Sequence, residues 1–258
     1  MGRDAPMKST LLTLAMTGLS LAMVLPAAAK PAPDPTPTAG SVHSYILLDR
    51  TGSMSDIWDE ALGSVNAYAA SVGEADEGEI EGADIKTTIT MAVFDYQESL
   101  QFDVLRKDVA AEAWTDVTND EANPRGMTPL FDAIGRMVSL AEADKPEKAV
   151  IVIMTDGHEN SSKEITRDGA KAALDRAKAN GWEVVFLGAE FANFGDADAV
   201  GMSASKTIAV GQGRMQDSMS ALAKKSRAYG KGEEAEIVFD DADRAAADEE
   251  GVKDRTGQ

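Results

Sequence analysis

The sequence predicts an α/β fold in three layers: helices on both faces of a doubly wound, mostly parallel sheet with one antiparallel edge strand. Three observations point to it. Short apolar runs recur at Tyr45–Leu48, Lys148–Met154 and Trp182–Leu187, and continuous runs of that length bounded by turn residues read as strands buried on both faces. Segments with apolar residues at helical spacing lie between them. Ile85–Phe94 and Ser99–Leu105, joined by a turn at Asp95–Glu98, read as a hairpin, the usual source of an antiparallel edge in such a sheet.

The elements follow in order. Residues 1–29 read as a signal peptide: Arg3 and Lys8 lead, Leu11–Leu25 is apolar, and Ala27-Ala28-Ala29 supplies a small-residue cleavage site. Fifteen helical residues span about 22 Å, short of the roughly 30 Å bilayer core, so cleavage and export are expected rather than a membrane anchor. Residues 30–40 hold four prolines and read as an extended linker. A domain over 41–230 opens with a strand at about Val42–Leu48. A helix capped by Ser55 or Asp56 then runs to about Val72, with Ile57, Ala61, Leu62, Val65, Tyr68, Ala69 and Val72 on one face.

Glu74–Gly82 is acidic and glycine-rich, without the ordered spacing of a calcium loop, and reads as a solvated turn. After the hairpin, Val109–Trp114 reads as a short helix or turn with Trp114 packing inward. Asn119–Pro129 is a tight loop, and Thr128 opens a helix over Leu130–Ala143 with Pro129 in its first turn. Asp132 suits that helix's dipole and is not read as a ligand. Ser162–Asn180 reads as a helix closed by Gly181. A loop follows at Gly188–Phe194, then a helical turn at Ala197–Gly201 and a short strand at Lys206–Val210. The final amphipathic helix spans Gln212–Tyr229. Residues 231–258 carry ten Asp and Glu against four Lys and Arg, with few large apolar residues, and read as a disordered tail.

Chemistry concentrates where the first strand ends. Asp49, Thr51 and Ser53 follow it at alternate positions around Gly52. Ligands of open α/β sheets bind beyond the carboxyl ends of strands, and alternate residues of an extended loop point the same way. One carboxylate and two hydroxyls suit a small hard cation, Mg²⁺ ahead of Ca²⁺, with water in the remaining positions.

Asp49-x-Thr51-x-Ser53 resembles the DxSxS motif of von Willebrand factor A (integrin I-like) domains, the first part of their metal-ion-dependent adhesion site. Thr51 stands where Ser is commoner and keeps the oxygen. The resemblance implies two further elements, and both are present in order: Thr128 in Arg125-Gly126-Met127-Thr128-Pro129-Leu130, and Asp156 in Thr155-Asp156-Gly157. It covers roughly residues 41–229. It implies metal ligation by Asp49, Thr51, Ser53 and Thr128, with Asp156 reaching the cation through water. The cofactor expected is Mg²⁺, or Mn²⁺ or Ca²⁺ in its place. Taken singly, Thr128 is an ordinary N-cap and Thr155–Gly157 an ordinary turn. His158 reads as a rim residue.

Composition removes several functions. Cysteine is absent, so no disulfide framework, thiolate site or cysteine nucleophile exists. A net charge of −19 opposes nucleic-acid binding and docking on anionic lipid. The expected function is an exported, monomeric, metal-dependent protein-binding module, periplasmic or secreted, whose partner offers an Asp or Glu side chain. Two alternatives stand beside it: a Mg²⁺-dependent hydrolase of phosphatase type, or a domain whose metal is purely structural. The hydrolase similar in its strand-end Asp needs a second Asp two residues on. That position is Thr51, which is no general acid near neutral pH, so no enzyme is expected.

Overall fold

The computed structural model describes residues 40–74, 85–190 and 194–257. The expected signal peptide, nearly all of the expected proline-rich linker and most of the expected acidic turn fall outside them. Six strands form one sheet: β1 (Ser41–Asp49), β2 (Lys86–Gln97), β3 (Ser99–Ala110), β4 (Ala149–Thr155), β5 (Glu183–Ala189) and β6 (Thr207–Val210). Their order is β3-β2-β1-β4-β5-β6. Every neighbouring pair is parallel except β2 with β3. The fold is thus the mixed α/β sheet with one antiparallel edge that the sequence predicts.

Strand β1 shows why the sheet needs cover on both sides. Val42, Ile46 and Leu48 enter one apolar cluster, while Tyr45 and Leu47 enter the other. Alternate residues of a strand face opposite ways, so a strand with consecutive apolar residues such as Tyr45–Leu48 must have two packed faces. The first face takes α1 (Trp58–Gly73) and α5 (Met215–Lys231). The second takes α2 (Leu130–Asp144), α3 (Arg167–Ala179) and the short α4 (Gly195–Ala199). A buried polar relay fixes the first layer. Ser44 Oγ lies 2.8 Å from the Tyr68 hydroxyl, which donates to Ser226 Oγ at 3.0 Å, tying β1 to α1 and α5.

Several boundaries differ from expectation for local reasons. A 3-10 turn at Gly52–Asp56 precedes α1, so neither Ser55 nor Asp56 caps it. Strand β3 runs on to Ala110, taking residues expected in a turn. Helix α3 starts at Arg167, where the Thr166 hydroxyl accepts from Gly169 N. The residues ahead of it are held as a loop by side chains described below.

The C-terminal segment corrects the expectation of a disordered tail. Through residue 257 it folds onto the β6 edge of the sheet as α6 (Asp241–Ala246) and α7 (Glu249–Thr256). Ile237, Phe239, Ala247 and Val252 are buried, the first three of them in the cluster that holds Ile208 and Val210 of β6. Phe239 N donates to Ser205 O, Gly211 N to Ala247 O, and Ala209 N to the Glu249 carboxylate at 3.2 Å. An edge strand otherwise leaves a row of backbone groups unpaired. The acidic side chains are not simply solvated: Arg244 donates to both Glu249 oxygens, and Lys225 lies 3.0 Å from Asp243. Composition pointed to disorder because it ignores where the few apolar residues fall. Replacing Phe239 by Ala should lower the stability of the whole domain by about 3 kcal/mol in urea unfolding. A tail that did not pack would leave the midpoint unchanged.

Candidate metal centre

Strand β1 is flanked on both sides by parallel strands, and the chain's winding reverses there: β2 lies to one side and β4 to the other. A crevice therefore forms above the carboxyl ends of β1 and β4, the place where such sheets bind ligands. Three loops meet over it, and each is held by bonds that can be named.

The first loop leaves β1 at Asp49. Thr51 N donates to Asp49 Oδ1 at 2.7 Å, turning the backbone at once. The second is the stretch from Asn119 to Pro129. Arg125 N donates to Arg50 O at 2.7 Å and Gly52 N to Gly126 O at 3.3 Å, so it lies against the first. Met127 and Tyr96 exchange backbone hydrogen bonds in both directions. Gly126 has φ +70°, and a Cβ there would stand 2.5 Å from Tyr96 O. Only glycine allows so close a backbone crossing.

The third loop leaves β4 at Thr155 and is strapped to the start of α2. Asn160 N donates to Thr128 O at 3.0 Å, and Thr128 N donates to Asn160 Oδ1 at 2.9 Å. Phe131 N donates to Glu159 Oε2, meeting one of the free N–H groups at the helix start. Asp132 does more than complement the dipole. Its buried carboxylate accepts from Lys163 N, Glu164 N and Ile165 N, which keeps that stretch out of α3. His158 stands half exposed, 3.1 Å from Asp196.

The five residues singled out from the sequence come together. Thr51 Oγ1 is 3.1 Å from Ser53 Oγ, and Thr128 Oγ1 donates to Thr51 Oγ1 at 3.4 Å across 77 residues of chain. Ser53 Oγ donates to Asp156 Oδ1 at 2.8 Å. Asp49 lies beneath, fully buried, its Oδ2 accepting from Thr155 Oγ1 at 2.6 Å. Oxygens that share a six-coordinate Mg²⁺ at 2.0–2.1 Å stand about 3 Å from their neighbours, so these side chains fit such an ion. Among the described residues no group of three or more His, Cys, Asp or Glu side chains could hold a metal. A set made mainly of hydroxyls suits Mg²⁺ or Mn²⁺, not a nitrogen- or sulfur-seeking ion.

Sequence reasoning missed the ion pairs that brace the first two loops. Buried Arg50 donates from Nε to Asp95 Oδ1 at 2.6 Å and from Nη2 to Asp103 at 2.5 Å. Arg125 Nε reaches Asp95 Oδ2 at 3.2 Å. Arg50 carried a signal, because an arginine directly after a buried strand needs a carboxylate on the adjoining strand. Asp95 follows Phe94, the partner of Asp49 in the ladder. Thr155, which orients Asp49, had only its place before Asp156 to mark it.

Arg50 being committed elsewhere, Asp49 has no cationic partner among the described residues. Burial pushes its carboxyl up to about 7, with hydrogen bonds from Thr155 and Thr51 opposing and the Asp156 charge adding to the rise. Burial also raises Asp156, with the Ser53 hydrogen bond opposing.

No protein-family model matches the chain, and no curated protein matches it. Solved structures do. The pilus adhesin SpaC of Lactobacillus rhamnosus GG, in its open conformation, superposes with a TM-score of 0.56 at 12% identity, over 74% of this chain and 30% of that one. The manganese-loaded TRAP protein of Plasmodium vivax gives 0.51 at 15% identity, over 72% of this chain and 73% of that one. Proximal thread matrix protein 1 of the mussel byssus gives 0.49 at 14% identity, over 75% and 47%. The chain spans less than half the length of the adhesin and of the byssus protein. Strand order, the crevice over β1 and β4 and the superpositions on the adhesin and the TRAP protein define the class: the chain has the von Willebrand factor A fold.

The raised Asp49 carboxyl has a signed consequence for the metal-free protein. A group whose folded value lies above its unfolded value near 3.9 adds stability that is complete below that value and lost as pH rises through about 7. In chelator, stability should fall between pH 4 and pH 8 by on the order of 4 kcal/mol from this group. Asp49→Asn should flatten that fall. Urea unfolding of both proteins across the range checks it; parallel curves would show that the carboxylate carries no such cost.

Proposed function

We propose that this chain is an exported, divalent-metal-dependent protein-binding module of the adhesion or scaffold kind. Mg²⁺, or Mn²⁺ or Ca²⁺ in its place, would be held by Asp49, Thr51, Ser53 and Thr128, with Asp156 backing Ser53. The ion would supply a positive centre able to accept an Asp or Glu side chain from a partner protein. The observation that carries this reading is the chain of contacts from Thr128 through Thr51 and Ser53 to Asp156, brought from three separate loops with each oxygen within 3.4 Å of the next.

This chain's own residues supply the rest. Asp49 anchors the first loop through Thr51 N and contributes negative charge from below. Glu159, Asn160 and Asp132 hold the third loop on α2, so Thr128 and Asp156 keep their spacing without a partner present. Ser53 and Gly52 are exposed, which leaves the upper side of the cluster open to a protein surface. Thr51 is buried and hydrogen-bonded to its two neighbouring hydroxyls, so it supplies no acid or base. The reading as a binding module also agrees with what similar structures are: a pilus adhesin and a protein solved with manganese.

Isothermal titration of the mature chain should show Mg²⁺ or Mn²⁺ binding that Asp49→Ala abolishes. Capture of a protein from the envelope extract should need Mg²⁺ and fail with Thr128→Ala. Unchanged titration in the Asp49 variant, or capture that survives chelator, would refute the reading. Export makes a separate prediction: intact mass of the secreted or periplasmic protein should place the N-terminus at Lys30, and an uncut chain would indicate an anchor instead.

A further inference from the structure

The residues just ahead of Thr128 show an exposure pattern that holding a cation does not call for. Arg125, Gly126 and Met127 are exposed, while Thr128 is buried. Met127 is 50% exposed, one of only two large apolar side chains so open among the described residues; the other, Val104, lies on the outer strand β3. Isolated exposed apolar residues are ordinary on protein surfaces. This one is distinguished by how it is held. Its N–H and C=O are both spent on Tyr96, and Gly126 before it is pressed against Tyr96 O. The backbone cannot turn the side chain inward. Gly126 O meanwhile accepts from Gly52 N, which sets this stretch beside Ser53.

Arg125 is the loop's other open side chain. It spends Nε on Asp95, and its Nη2 lies 3.8 Å from Asp103, beyond hydrogen-bond range. The outer guanidinium N–H groups therefore remain for another acceptor, and a guanidinium fork matches a carboxylate. This also answers a difficulty in the overall charge. A chain of net −19 repels anions at long range, so a partner carboxylate needs local positive charge where it lands.

We propose that Arg125 and Met127 are recognition elements of the metal face, selecting a partner carboxylate that carries an apolar side chain beside it. The inference rests on the metal-dependent reading above and adds the partner's local chemistry. Arg125 guides and orients the acidic group. Met127, flexible beyond its fixed backbone, covers an apolar neighbour of variable shape.

Two immobilised peptides test it, each with a single Asp, flanked by Leu in one and by Ser in the other. In Mg²⁺ buffer the wild-type chain should bind the Leu-flanked peptide roughly fivefold to tenfold more tightly, the worth of covering part of a Met and a Leu side chain. Met127→Ser should erase that preference and leave Mg²⁺ affinity, read by titration, unchanged. Arg125→Gln should weaken both peptides, more at low salt than at high. Mg²⁺-dependent binding with no preference, or a preference that survives Met127→Ser, overturns this inference alone. A wild-type chain that binds Mg²⁺ but neither peptide overturns the carboxylate-partner reading and this inference with it.

Discussion

The buried carboxylate of Asp49 is the constraint the site is built around. It sits, fully buried, at the end of the central strand, and its hydrogen bonds come from neutral donors only. The guanidinium of the next residue in the chain, Arg50, is drawn away to Asp95 and Asp103. A buried anion without a counter-charge is costly, and the arrangement persists because the surrounding fold over-determines it. Parallel ladders fix β1 on both sides, Thr51 and Thr155 hold the two carboxylate oxygens, and three loops converge above. A cation placed among those loops would relieve the charge that the strand imposes, so the same burial that weakens the metal-free protein favours the loaded one.

The loops divide their work unequally. The second loop is tied by its backbone to the first and to β2, while the third is tied mostly by side chains, with one backbone bond from Asn160 N to Thr128 O, to the start of α2. Thr128 belongs to both systems: it lies on the second loop, and its N–H and C=O both engage Asn160 of the third. Its hydroxyl position is therefore set by two independent frameworks. Preorganisation of this kind lowers the entropy cost of binding an ion.

Much of the fold was legible in the sequence because its signals are local. Continuous apolar runs announce doubly covered strands, and helical spacing announces the covering layers. The site was legible in part: the alternate oxygens after Asp49 follow from strand and loop geometry, but the tie to Thr128 and Asp156 needed a family resemblance, since nothing local links positions so far apart. What stayed hidden was non-local. The Arg50–Asp95–Arg125 bracing depends on ladder register, and the strap from Asp132 to the third loop depends on tertiary placement that no periodicity encodes. The C-terminal segment was misread because average charge outweighed the positions of Ile237, Phe239 and Val252.

The two ends of the described domain are attached to the sheet in opposite ways. The chain enters through β1, the central strand, paired along its length to β2 and over His43–Leu48 to β4. It leaves over the outer edge, past β6, through two short helices. Tension applied at the entrance would load two ladders in shear at once, whereas tension applied at the exit would peel the terminal helices off one at a time. A pull between the entrance and the carboxyl ends of β1 and β4 would leave the sheet's shape intact, with the exit segment yielding only when it is itself the handle.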